Sequence, residues 1–118
     1  MAKISNEELK ALREKHPRGV KVLEAVPDGA SDDTAGDEFV FRKIDRAAHT
    51  KYRALSKRAL AQGSGGDEPA LLAKELLVWP KVEEFDALRE RAPAVAEEMG
   101  YALLADADAG LMVREGKR

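Results

Sequence analysis

A run of apolar residues that ends at a proline constrains the fold of this chain more than any other feature. Pro69 is well placed in a first helical turn, and Pro80 ends the helix at Trp79, because the residue before a proline avoids the helical region. The apolar positions between Asp67 and Trp79 cover too wide an arc for a helix that lies on a protein surface. The sequence therefore predicts a central core helix from Asp67 to about Trp79. Its apolar residues are Leu71, Leu72, Leu76, Leu77, Val78 and Trp79.

Four other segments have the apolar spacing and the end signals of helices. Ser5 and Glu8 have the S-x-x-E spacing of a capping box, ahead of a short amphipathic helix that ends at His16. Asp45 can cap the start of a longer helix by accepting a hydrogen bond from one of its first amides, and Pro93 can begin the last helix. The predicted helices cover residues 5–16, 45–62, 82–92 and 93–105.

Two segments, Val20–Val26 and Glu38–Ile44, alternate with the period of a β-strand. Phe39 and Phe41 fall on one face of the second strand, and Val40 falls on the other. The connection PDGASDDTAGD between the strands is long and rich in Gly, Asp, Ser and Ala, which is typical of a hairpin with an extended loop. The predicted fold class is α+β, with a β-hairpin packed on a small bundle of four to five helices.

The length of 118 residues suits one ordinary domain, which we expect at residues 1–105, followed by a C-terminal tail at 106–118. Leu111–Val113 could dock as a short strand or remain part of the tail. The charged N-terminal segment lacks the apolar run of a secretory signal, and no stretch approaches the roughly 20 apolar residues of a membrane span. We therefore expect a cytoplasmic protein with no membrane association.

Residues for catalysis or metal binding do not occur in the required combinations. The chain has no cysteine, and His16 and His49 lack an H-x-x-x-H or H-E-x-x-H partner, so a helix-end cap and a surface position are favoured for them. Gly63–Gly66 precedes a helix, but acidic residues follow where a phosphate-binding loop needs lysine. The acidic loop at 27–38 lacks the ligand spacing of an EF-hand, which favours a solvated loop. We therefore expect a non-enzymatic protein without cofactor or metal that acts by binding another protein.

The strongest charge feature is the basic run from Arg42 to Arg58, which contains a single acidic residue, Asp45. Within this run, cations form a helical stripe opposite the apolar side of the predicted helix. An ordinary solvated face, a contact surface for the acidic loop or an acidic partner, and a nucleic-acid surface all fit the stripe. The lack of interleaved aromatics and the net charge of -2 disfavour nucleic acid. The candidate partner-binding residues are Arg46, His49, Arg53 and Lys57.

Two segments of the chain carry a family resemblance. The first is Phe39-Val40-Phe41-Arg42-Lys43-Ile44-Asp45-Arg46, followed by a basic helix with Tyr52, and the second is Leu76-Leu77-Val78-Trp79-Pro80, followed by Phe85, Ala87, Leu88, Arg91 and Pro93. These segments resemble the small tail assembly chaperone-like proteins of tailed phages and prophages. In that family an F-x-F-R-x-P-D/T-R-like segment leads a helix, and an aromatic-Pro pair leads a D/E-x-F-x-x-L helix. The resemblance covers about residues 20–104; Ile44 stands where proline is usual, and the acidic loop looks like an insertion.

The resemblance implies a non-enzymatic cytoplasmic protein that binds the long helical tape-measure protein and assists the assembly of tail-tube subunits. It defines no functional residues that can be carried over one by one. A homo-oligomer is compatible with this role. The alternative that the residues themselves leave open is a nucleic-acid-associated or regulatory binding module that uses the basic helix face.

Overall fold

The computed structural model describes residues 3–31, 33–108 and 111–117 of the chain. Over these residues the chain forms five α-helices, one three-stranded antiparallel sheet and a single 3₁₀ turn, so the predicted α+β class is confirmed. The elements in chain order are α1 (Asn6–Lys15), β1 (Val20–Ala25), β2 (Asp37–Arg42), α2 (Arg46–Ala61), α3 (Glu68–Leu76), β3 (Leu77–Trp79), α4 (Val82–Arg91), α5 (Pro93–Ala105) and the 3₁₀ turn (Asp106–Asp108).

The strands β1 and β2 form the predicted antiparallel hairpin, in which Val20 pairs with Arg42 and Ala25 with Asp37. The predicted strand limits were wrong by one or two residues, because Val26 and Ile44 lie outside the strands. Ile44 is nevertheless buried in the core. An apolar residue at this position is therefore explained by packing in the turn into α2 and not by strand alternation.

The prediction that the core helix continues to Trp79 was wrong. The helix α3 ends at Leu76, and Leu77–Trp79 forms β3, which pairs with β2 through Phe41 opposite Leu77 and Val40 opposite Trp79. The wide apolar arc has a simple cause: successive side chains of a strand point to opposite faces of a sheet, and both faces of this sheet are covered. Pro80 remains the boundary signal, and the Trp79–Pro80 peptide bond is cis.

The main core lies between one face of the sheet and the helices α3, α4 and α5. Phe39 and Phe41 project from that face, and the ring of Phe85 on α4 meets both edge-to-face, with centroid distances of 5.9 and 6.1 Å. The alternation that places both phenylalanines on one face was predicted from the sequence and is confirmed. The aliphatic residues buried with them include Leu72, Leu76, Leu88, Met99 and Leu103.

The other face of the sheet is covered by α1. Val40, which is fully buried, lies on this face together with Trp79, its pairing partner on β3. The indole Nε1 of Trp79 donates to Oε2 of Glu8 on α1 at 3.1 Å, and the backbone N–H of Ile4 donates to Oε1 of Glu38 at 3.0 Å. These two bonds hold α1 and the residues before it against this face of the sheet, although no residue of α1 is buried. Ser5 accepts a hydrogen bond from the N–H of Glu8 at 3.1 Å, which confirms the predicted cap of α1.

The helices α3 and α5 approach each other so closely that one position on α5 must be glycine. A Cβ atom placed on Gly100 would overlap the backbone carbonyl group of Pro69, which is itself fully buried in the first turn of α3. Small residues continue the contact, with Ala70 and Ala73 on α3 and Ala96 on α5 all buried. Backbone atoms cannot rotate aside as a flexible side chain does, so the contact tolerates no added atom at Gly100.

We expect Gly100→Ala to lower the free energy of unfolding by about 2 kcal/mol. Overpacking against a backbone costs about 3 kcal/mol, which outweighs the gain of roughly 1 kcal/mol in helix propensity. Urea denaturation followed by the fluorescence of Trp79 measures the difference. The control is Gly116→Ala, where a Cβ meets open space and the change should stay within about 0.5 kcal/mol. An unchanged or higher stability of Gly100→Ala would contradict the assigned contact.

The C-terminal end of α5 lies beside β1. The ammonium group of Lys21 donates to the carbonyl oxygen of Ala102 at 3.3 Å and contacts Oδ1 of Asp106 at 3.2 Å, which ties the end of α5 to the sheet. Beyond the 3₁₀ turn, residues 111–117 contain no strand, and all of them are exposed.

Candidate binding surface on helix α2

The helix α2 contributes little of its surface to the core. Of its 16 residues, Ala48 is the one that is buried, while Tyr52 and Leu55 are half-buried against the core side. Of the candidate partner-binding residues predicted from the sequence, Arg46, Arg53 and Lys57 are exposed and His49 is half-buried. A helix of this length with one buried residue leaves most of its surface free for solvent or for a partner.

The start of α2 is fixed by Asp45, as the sequence predicted. Oδ1 of Asp45 accepts a hydrogen bond from the N–H of Ala48 at 2.8 Å, and Nη1 of Arg42 lies 3.1 Å from Oδ2. The bond from Ala48 is the largest influence that lowers the pKa of Asp45, and the charges of Arg42 and Arg18 lower it further. The carboxylate therefore stays ionised in a strongly cationic environment.

The formal charges of α2 are all positive, since the helix holds five basic residues and no acidic residue. Lys51 is paired with Glu75 of α3 at 3.3 Å. Arg46, Arg53 and Lys57 form no ion pair with any residue that the structure describes. Exposed and unpaired cations of this kind attract an anionic surface over roughly one Debye length, about 8 Å at physiological salt.

The acidic loop forms local contacts over its described residues. Among the described residues between Pro27 and Gly36, the side-chain bonds are local: Ser31 and Thr34 bond each other, and the N–H of Gly36 donates to Glu24. No hydrogen bond or ion pair joins this described part of the loop to α2. These residues give no support to the interpretation in which the stripe attracts the acidic loop of its own chain. An ordinary solvated face, a surface for an external acidic partner and a nucleic-acid surface stay open.

An apolar feature next to the stripe was missed from the sequence. Leu60 is 82% exposed, and it lies three residues beyond Lys57, where it continues the helical spacing of the stripe. On the other side of α2, a groove of about 350 Å³ runs between the second half of the helix and the first turn of α3. Its lining residues include the apolar Leu55, Ala59 and Leu71 and the charged Arg58, Asp67 and Glu68. The spacing of Leu60 was the available signal. The groove could not be predicted from the sequence, because it depends on how α2 and α3 pack against each other.

A second groove is lined by charged residues that pair with each other. It measures about 620 Å³ between α3 and α4, where Arg89 contacts Asp67 at 2.9 Å and Lys74 contacts Asp86 at 2.9 Å.

His16 is the C-terminal cap residue of α1, as predicted, and its backbone N–H donates to the carbonyl oxygen of Leu12. Over residues 3–31, 33–108 and 111–117, no group of three potential ligand side chains could hold a metal ion. No helix in these ranges is long and apolar enough to span a bilayer.

Comparison of the chain with protein-family models, with curated proteins and with solved structures gave no match. The candidate surface therefore stands on the geometry and charges of its own residues.

We expect the ionised Asp45 to make stability depend on pH in a defined direction. Its folded pKa lies below the ordinary value of 3.8, so its contribution is present above that pH and is lost as the pH falls through the folded pKa. Asp45→Asn keeps a side chain that can cap the helix but does not titrate. The stability difference between wild type and this variant, measured by urea denaturation from about pH 6 to about pH 2.5, should stay constant at first and then shrink. A difference that does not change with pH would contradict the assignment.

Proposed function

We propose that this protein is a non-enzymatic, cytoplasmic binding protein that acts as a tail assembly chaperone of a phage or prophage. Its partner would be the long helical tape-measure protein, and it would assist the assembly of tail-tube subunits. The resemblance supports this role through two segments: Phe39–Arg46 spans β2 and the start of α2, and Leu76–Pro80 spans the end of α3 and β3. A gene position between those of a tail-tube protein and a very long helical protein would add support, and any other neighbourhood would count against the proposal.

The observation that carries the proposal is the exposed surface of α2, which presents cations on one side and borders an apolar groove on the other. Amphipathic helices bind other proteins by laying apolar side chains into a groove while polar residues face its rim. Leu55 and Leu71 line such a groove, and its charged lining residues are Arg58, Asp67 and Glu68. The cations of α2 favour a partner helix with acidic residues along its polar side. A chaperone must also release its client, and a groove rimmed by exposed charges gives affinity that salt can weaken.

Co-expression with fragments of a tape-measure helix tests the proposal. We expect a complex to co-purify with the wild-type chain, and we expect Arg53→Glu combined with Lys57→Glu to reduce the recovered partner about tenfold, because the charge reversal repels acidic residues. The matched control is Lys10→Glu combined with Lys81→Glu, two exposed lysines on α1 and before α4. Absence of a complex across several fragments would overturn the proposal, as would equal losses in both double variants.

The second candidate function is a nucleic-acid-associated or regulatory module, which the unpaired cations of α2 favour. Binding of this kind weakens steeply with salt, because each neutralised phosphate releases counterions. The chaperone proposal predicts no measurable association of single- or double-stranded oligonucleotides at low salt by fluorescence anisotropy. Salt-dependent binding that Arg53→Glu combined with Lys57→Glu abolishes, while the Lys10 and Lys81 control retains it, would favour the second candidate instead.

A further inference from the structure

Two turns that are distant in sequence meet at one end of the hairpin. The turn after α1 and the turn before α2 flank the Val20–Arg42 pair. The backbone N–H of Lys43 donates to the carbonyl oxygen of Gly19 at 3.4 Å, and a guanidinium N–H of Arg18 donates to the carbonyl oxygen of Ile44 at 3.4 Å. Gly19 has a φ of 99°, a backbone conformation that other residues rarely adopt, and the aliphatic part of Lys43 packs beside it. The contact between the turns is therefore specific.

The two turns enclose a cleft of about 150 Å³ whose charged wall is almost entirely cationic. Four basic side chains line it against one carboxylate, that of Asp45. Asp45 bonds the N–H of Ala48 and Arg42, and its single negative charge cannot balance four cations. The basic residues of the cleft are Lys15, Arg18, Arg42 and Lys43.

Most of the donors in this cleft remain available. The ammonium groups of Lys15 and Lys43 form no hydrogen bond or ion pair with the described residues of the chain. Arg18 bonds a neutral carbonyl oxygen and forms no ion pair within 4 Å with the described residues, although its charge acts on Asp45 and lowers the pKa of that carboxyl group. Arg42 uses one terminal nitrogen on Asp45 and keeps further guanidinium N–H groups. Like charges held this close repel one another, and an oxyanion between them would relieve that repulsion and accept several hydrogen bonds.

We propose that this cleft is an oxyanion site that takes a carboxylate from an acidic segment of a protein partner. A protein source is favoured over nucleic acid because the cleft offers His16 but no Phe, Tyr or Trp to stack on a base, and because the chain as a whole carries a net charge of -2. Asp45, which lines the cleft, is the N-terminal cap residue of α2, so the cleft lies at the start of that helix. An acidic segment bound along α2 can therefore place one carboxylate in the cleft. The site does not depend on the partner being a tape-measure protein.

An NMR titration of the full chain with a capped hexaglutamate peptide tests the site. We expect saturable shifts of the backbone amide resonances of Gly19 and Lys43, and no saturable shift with a capped hexaglutamine peptide. Lys15→Gln combined with Lys43→Gln should weaken binding about tenfold, because two charged donors are lost. Neither side chain forms a hydrogen bond that the fold uses, so the variant should remain folded.

The control and a second variant make the outcomes decisive. Lys10→Gln combined with Lys81→Gln removes two exposed charges elsewhere and should leave the peptide affinity unchanged. Arg18→Gln, a variant that retains both Lys15 and Lys43, should also weaken binding of the hexaglutamate peptide. The proposal is overturned by equal affinity in the cleft and control variants, by the absence of saturable shifts, or by an oligothymidylate that binds the cleft more tightly than hexaglutamate. Failure of this titration would leave the tape-measure test unaffected, because that test uses a different partner and the α2 variants.

Discussion

The close contact between α3 and α5 is the constraint on which the rest of the fold depends. Gly100 lies against the carbonyl group of Pro69, and small buried residues flank this point on both helices. Because α3 is held there, the chain can pass directly from Leu76 into β3 without a connecting loop. The third strand then completes the sheet, and Phe39 and Phe41 pack on Phe85 beneath it. A substitution that pushes α3 and α5 apart would therefore also disturb the position of β3 in the sheet.

A core completed in this way needs little from α2. That helix contributes Ala48 to the core and places Tyr52 against it, while its five cations remain on the outside. Exposed cations on a helix give little intrinsic stability, since surface ion pairs contribute about 0 to 1 kcal/mol and four of these five cations form no ion pair with the described residues. The stability of the fold therefore does not account for their placement.

Local signals in the sequence were sufficient for much of this structure. The alternation around Phe39 located the hairpin, and Ser5 and Asp45 marked the helix starts that the structure confirms. The strand at Leu77–Trp79 was missed because a short apolar run looks alike in a helix and in a strand when both of its faces are buried. The cationic cleft could not be predicted either, since the pairing of Val20 with Arg42 brings Lys15 and Lys43 together across a long sequence separation. The basic residues of α2 were evident from the sequence, but their freedom from ion pairs was not.

Hydrogen–deuterium exchange of the co-purified complex tests the central claim most directly, namely that α2 is the binding surface. In the free chain, the backbone of α2 should exchange readily, because one buried residue gives that helix little protection from local opening. Binding of a tape-measure fragment should slow exchange across residues 46–61 and leave α4, at 82–91, unchanged. Protection confined to α4 and α5, with α2 unaffected, would contradict the account.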